Sequence, residues 1–348
     1  LKNKMNSEVH LFIIWENAQK HKSNFLSKIS QKLDIIGQHN ITWGDFEDNL
    51  TRFYRKRPVM SDKANRVGRG TFTLVVVEDK SPKYEQRNTS KGQETVNINI
   101  FDLKESFRSI SGPPNDLIHA TNNTVESNHD LTLLLGVNCT DYKSTNIPNI
   151  LNTNLVGYDG WKNISEMFYV LNNTLDYIVL RNWQPLPNDF LLEGHGDIDL
   201  LVDNLKDAVY ILKAKPVFPE KHRVHFKVKI GNQQIPFDLR FVGDDYYDVN
   251  FEKDMLNTKV SLRGFNTPNA YYHFYSLLYH AFIHKHNIKD DYKVTLSAMT
   301  EDYTPQDFTQ VNASNILKDF LTKHNYKITK PEPSVRYNEA GVNLIQNG

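Results

Sequence analysis

Gly194-His195-Gly196-Asp197-Ile198-Asp199-Leu200-Leu201-Val202 places two carboxylates two residues apart at the head of an apolar strand. A strand repeats its side-chain direction every two residues, so Asp197 and Asp199 share one face of a sheet. Two carboxylates on one face repel unless a cation lies between them. Mg²⁺, held by one or two carboxylates together with substrate phosphates, is the usual solution. Mn²⁺ accepts the same oxygen donors. Downstream, Ile235-Pro236-Phe237-Asp238-Leu239-Arg240 reads as a further strand, from which Asp238 is expected to complete the cluster. In-line phosphoryl chemistry uses such a set, because both the attacking and the leaving oxygen need a cation.

Around this stretch the second half of the chain alternates in type. A helix is expected at 163–173, strands at 177–180, 223–230 and 234–241, and a helix at 205–212. From about 268 onward the spacing is helical, through Tyr271 to His284 and Ala313 to His324. The expectation is an α+β unit with a mixed sheet at 161–262, a helical C-terminal extension at 263–330 and a tail at 331–348. The chain begins at Leu1 and breaks off soon after Leu344-Ile345, which suggests a fragment of something longer.

With the glycines, the apolar strand and Asp238 together, residues 175 to 245 resemble the minimal polymerase-beta-like nucleotidyltransferase superfamily, in its branch that modifies sugars and small molecules. The resemblance implies metal binding by Asp197, Asp199 and Asp238, a nucleoside triphosphate donor and a small-molecule or sugar acceptor, as in surface-polysaccharide assembly. The superfamily carries Gly-Ser about ten residues before its carboxylate pair. Here Arg181-Asn182-Trp183 lies upstream, and Gly194 and Gly196 abut the pair. The phosphate-binding candidates are therefore Arg181, Gly194, Gly196, Arg240 and Lys285. His280 and His284, one helical turn apart, read as substrate-facing or surface residues. Gly243-Asp244-Asp245-Tyr246-Tyr247 reads as a turn.

The first half, residues 8–137, opens with the buried strand Val9 to Ile14 and a helical stretch at 20–33. A second strand after a turn at Gly37, a helix at 45–54, the β-branched strand Thr71 to Val77, and helices at 98–107 and 124–135 follow. This order is the split βαβ, ferredoxin-like pattern. The polar, Asn/Thr-rich residues 138–160 read as a linker.

The segment Pro113-Pro114-Asn115-Asp116-Leu117-Ile118-His119-Ala120-Thr121-Asn122, followed by a helix, resembles the active-site segment of nucleoside diphosphate kinases. The resemblance spans residues 9 to 136. It implies a neutral imidazole at His119 that attacks a γ-phosphate and carries it as phosphohistidine, with Glu126 or Glu16 orienting the ring. Lys104 stands where the family has a phosphate-binding arginine, and Phe107 where it has a phenylalanine. Trp15-Glu16-Asn17-Ala18 stands where the family has Lys-Pro-Asp-Ala, and insertions near 55–70 and 82–92 fall on its nucleotide cleft. Arg66-Val67-Gly68-Arg69-Gly70 reads as a basic loop.

Forty-one basic and 41 acidic residues give no net charge, which argues against a nucleic-acid coat or a polybasic membrane patch. No apolar run approaches the roughly 20 residues of a membrane span. No secretory leader is visible, so a cytoplasmic location is expected. The single cysteine, Cys139, excludes an intramolecular disulfide. Asn-x-Ser/Thr triplets such as Asn122-Asn123-Thr124 and Asn163-Ile164-Ser165 are ordinary in so Asn-rich a chain. The working expectation is Mg²⁺- or Mn²⁺-dependent nucleotidyl or phosphoryl transfer, with oligomers compatible with the first-half resemblance. Two alternatives stand beside it. One is a degenerate nucleotide-binding or scaffold module, and the other is a nucleotidyltransferase toxin.

Overall fold

A computed structural model describes residues 7–55, 60–188, 196–221 and 223–347. The chain is an α+β protein with two mixed five-stranded sheets, each in its own compact unit, Leu1–Asp159 and Gly160–Gly348.

In the first unit, β1 (Glu8–Ile14), β2 (Asp34–Thr42) and β3 (Phe72–Asp79) form the centre of the sheet. β1 is followed by α1 (Lys22–Ser30), and β2 by α2 (Phe46–Tyr54) and α3 (Met60–Val67). A hairpin, β4 (Tyr84–Thr89) with β5 (Gly92–Asn97), precedes α4 (Ile98–Ser111), β6 (Ile118–Ala120), α5 (Thr124–Leu135) and β7 (Ile150–Asn152). The order is β6-β1-β3-β2-β7, antiparallel except for the β2–β7 pair. β1 and β3 carry unbroken apolar runs because both sheet faces are covered: Leu11 to Ile14 and Leu74 to Val77 are buried. Phe12, Phe25 and Phe107 pack together beneath the sheet.

Three features differ from the sequence reading. The Gly37 turn is instead a bulge inside one continuous strand, where the register shifts between Ile35 and Gly37. A side chain at Gly37 would occupy the place of the Tyr142 hydroxyl, which bonds His39 Nε2 at 2.7 Å. The polar stretch after residue 137 carries β7, and Asn154 Oδ1 accepts bonds from Gly44 N and Asn49 Nδ2. The β4–β5 hairpin escaped notice because Tyr84 to Thr89 has no apolar alternation.

In the second unit the elements are α6 (Ile164–Thr174), β8 (Tyr177–Val179), β9 (Ile198–Val202), α7 (Leu205–Leu212), β10 (Lys215–Pro216), β11 (His225–Ile230) and β12 (Gln233–Phe241). α8 (Val249–Asn257), β13 (Val260–Leu262) and β14 (Phe265–Thr267) follow. α9 (Ala270–Ile283), α10 (Asp290–Ser297), α11 (Gln310–His324) and α12 (Glu339–Asn347) complete it. The sheet order is β10-β11-β12-β9-β8, with only β9 and β12 parallel. Asn163, from a triplet noted above, caps α6 by accepting from Glu166 N. α9 is apolar on nearly all sides because it runs through the helical layer, where Phe251, Leu278, Tyr279, Phe282 and Leu317 share one core. No helix among the described residues is long and apolar enough to cross a membrane.

Candidate active site

β9 is buried along its whole length, and Asp199 sits in it at 3% exposure. A buried carboxylate costs several kcal/mol unless it is paired. Its partner is Arg181, just after β8, whose Nη2 donates to Asp199 Oδ1 at 2.5 Å. Parallel pairing of β9 with β12 sets Asp238 directly beside Asp199. Asp197, one step before β9, completes the group, and one carboxylate oxygen from each residue lies within 4.8 Å of the others. Among the described residues this is the one cluster of metal-ligating side chains. Its donors are all hard oxygens, which fits Mg²⁺ or Mn²⁺ rather than a soft metal.

The carboxylates of the cluster raise the proton affinity of Asp199 and Asp238, as those of a cation site do. Burial pushes the Asp238 carboxyl up to about 7, and the charges of Asp197 and Asp199 add to the shift. Burial also raises Asp199, offset in part by Arg181. His225 Nε2 stands 3.8 Å from Asp238 Oδ1, and burial, Arg240 and Arg223 lower its pKa.

The carboxylates line a cavity of about 360 Å³. Its lining also carries the cations Arg181, Arg240, Lys285 and Arg336, together with Tyr246, Tyr292, His280 and His284. Arg240 is 5% exposed and lies over the Tyr246 ring, 4.0 Å from its centre. His280 Nδ1 and the Tyr246 hydroxyl are 2.6 Å apart. Burial and the neighbouring cations hold His280 on α9 and His284 at its C-terminal cap well below their ordinary pKa, hence neutral at physiological pH. Burial and Arg181 also lower Lys285. The arrangement suits a ligand that is anionic toward the arginines and bound through oxygens toward the aspartates.

The sequence candidates therefore separate. Asp197, Asp199, Asp238, Arg181, Arg240 and Lys285 meet in one cavity. Gly196 is adjacent, with open space where its side chain would be. Gly194 lies outside the described residues. His280 and His284 face this cavity rather than the surface. Arg336, Tyr246 and His225 were missed. Arg336 sits in the tail and Tyr246 in a stretch read as a turn, so neither had a local pattern to reveal it.

In the first unit, His119 lies on β6 and donates from Nε2 to Asp130 Oδ2 at 2.7 Å. Asp130 also accepts from His129 Nδ1 at 2.9 Å, and Arg55 Nη1 donates to His129 Nε2 at 2.8 Å. Burial would raise the Asp130 pKa, but the two imidazole bonds prevail and hold it at about 2. Asp130, not Glu126 or Glu16, therefore orients His119. Glu126 accepts from Asn122 N at the start of α5, and Glu16 from Gly70 N. The bond through Nε2 leaves Nδ1 of a neutral His119 as its acceptor nitrogen. Lys104 is buried, donates to Asn122 Oδ1 at 2.9 Å, and is lowered by burial to about 8. Trp15 packs with Trp43, Phe46 and Phe72 as part of the core. Arg66 is paired with Asp116, and Arg69 with Glu47.

No family model matches this chain, and no curated protein matches it in sequence.

Proposed function

We propose that the second unit is a divalent-metal-dependent nucleotidyltransferase acting on a small-molecule or sugar acceptor. The observation that carries this reading is the convergence of three carboxylates and four cations in the lining of one cavity. Asp197, Asp199 and Asp238 would hold Mg²⁺ or Mn²⁺, which supplies charge neutralisation at the transferred phosphate and a more acidic acceptor hydroxyl. Arg181 neutralises Asp199 and faces the same space, and Arg240, Lys285 and Arg336 hold phosphate oxygens. The acceptor oxygen forms the new bond to the α-phosphorus while the bond to pyrophosphate breaks. The hydroxyl proton passes to Asp238, whose carboxyl burial and its neighbouring carboxylates raise to about 7. The β9–β12 strand pair with a carboxylate on each strand supports the polymerase-beta-like reading, and zero net charge favours a small acceptor over nucleic acid.

The test is incubation with Mg²⁺ and each nucleoside triphosphate labelled at the α position. Label on an acceptor or on the protein, with pyrophosphate released and both lost in Asp197→Asn, is the expected result. Metal-plus-nucleotide affinity that is unchanged in Asp197→Asn would remove the catalytic reading and leave a binding or scaffold protein.

A second activity is favoured by the His119–Asp130 pair, an imidazole oriented by a buried carboxylate in the first unit. The order β6-β1-β3-β2, with β1 and β2 parallel across β3, supports a ferredoxin-like, nucleoside-diphosphate-kinase-like reading of that unit. His119 Nδ1 would bond the γ-phosphorus as the bond to the nucleoside diphosphate breaks. Acid-labile label from γ-labelled ATP, absent in His119→Ala, is the expected signature.

A further inference from the structure

Two buried carboxyl groups lie behind the cavity and take no part in the chemistry above. Glu252, in the first turns of α8, has no exposed surface. Its Oε2 accepts from Gly243 N at 2.7 Å and its Oε1 from Tyr247 N at 3.4 Å. The carboxyl group of Asp244 also interacts with it, close enough for the two side chains to hydrogen-bond. Asp244 Oδ1 accepts from Tyr246 N at 3.0 Å, and its Oδ2 lies 3.6 Å from Arg240 Nη1, beyond hydrogen-bond length. Arg240 Nε and Nη1 are buried without hydrogen-bond partners. A guanidinium cannot shed its proton to relieve this. Arg240 also lines the cavity.

We propose that Glu252 is a positioning residue for phosphate binding, holding the Arg240 guanidinium in the cavity through Asp244. Two carboxyls in hydrogen-bond contact and out of water cannot both ionise, so they share one proton. Burial keeps that proton on the pair far above the ordinary carboxylate range. The pair then carries a single negative charge. That charge balances Arg240 from behind, while the backbone bonds to Glu252 fix the loop at Gly243 and Tyr247. Loss of the shared proton doubles the charge behind Arg240 and draws the guanidinium away from the ligand. The inference rests on the reading of Arg240 as phosphate-facing.

Other titratable groups stand around Tyr246 and Tyr247. Arg240 comes from β12, Asp199 from β9, Arg181 from the segment after β8, and His280 and His284 from α9 and its C-terminal cap. The imidazoles stay neutral in the alkaline range, and burial raises both tyrosines. Lys285 titrates lower than an ordinary lysine, but it does so whether or not Glu252 is changed.

The experiment is calorimetric titration of the full chain with inorganic pyrophosphate in EDTA, at about pH 7 and about pH 9.5. Glu252→Gln does not titrate and keeps one of the two acceptor oxygens, so its affinity at neutral pH is expected between those of the unmodified protein and Glu252→Ala. Glu252→Ala is expected to bind about tenfold more weakly, the scale of one lost charge-assisted bond. From neutral to alkaline pH the unmodified protein is expected to lose more affinity than Glu252→Gln. Binding in EDTA involves no metal, so its outcome is separate from that of the metal-dependent transfer assay. Equal alkaline loss in the unmodified protein and Glu252→Gln overturns the proposal. So does a Glu252→Ala that melts lower yet binds normally, and so does an absence of pyrophosphate binding. If Glu252→Ala fails to fold, the pH comparison with Glu252→Gln decides.

Discussion

The Asp238 carboxyl, held at about 7 by burial and by Asp197 and Asp199, ties metal binding to proton release. A carboxyl with that midpoint is about 0.9 protonated at pH 6 and about 0.1 protonated at pH 8. A cation can take the site only after displacing that proton. The expected consequence is release of about 0.9 proton per Mn²⁺ bound at pH 6 and about 0.1 at pH 8, with an apparent affinity about tenfold weaker at the lower pH. Titration calorimetry in two buffers of different ionisation enthalpy measures both quantities. Asp238→Asn should abolish the difference between buffers and weaken binding at either pH. The sign for stability follows from the same shift. The folded pKa is above the unfolded 3.8, so the metal-free protein is favoured at low pH and loses stability as pH rises through about 7. Bound metal should cancel that loss. Mn²⁺ binding that is equally tight at pH 6 and pH 8, with no buffer-dependent heat, would refute the placement of Asp238 in a shared carboxylate cluster.

Arg181→Met should destabilise the metal-free protein by about 3–5 kcal/mol, because it leaves Asp199 buried and unpaired. Urea unfolding in EDTA measures the loss, and Mg²⁺ should restore part of it. Asp130→Asn should cost about 1.5–3 kcal/mol at neutral pH through its charge-assisted bonds to His119 and His129. Since the folded pKa of Asp130 is depressed to about 2, that stability is present above the unfolded 3.8 and fades as pH falls through about 2. An acid titration of stability should show this limb in the unmodified protein and not in Asp130→Asn. Gly37→Ala should destabilise by about 1–3 kcal/mol by overpacking against the Tyr142 hydroxyl. Hydrogen exchange should locate the loosening in residues 138–159, and removing the hydroxyl with Tyr142→Phe should recover part of it.

What could be read in the sequence was local and periodic. Asp197 and Asp199 share a face because strands repeat every two residues, and both apolar central strands of the first sheet announced themselves by composition. The α9 helix was visible in the helical spacing from Tyr271 to His284. Tertiary structure decided what those elements meet. Whether Asp238 would stand beside Asp199 depended on the parallel register of β9 and β12, which neither strand encodes alone. His119 found its carboxylate at Asp130, on the next helix, while the acidic residues nearer the sequence motif were taken by backbone N–H groups. Trp15 stands at the end of an apolar strand, and three aromatic neighbours make it core. The cavity's cations are Arg181, Arg240, Lys285 and Arg336, which belong to four separate segments and share no spacing. Periodicity records which way a side chain points. The charge it faces is set by strands and helices that meet only when the core between them closes.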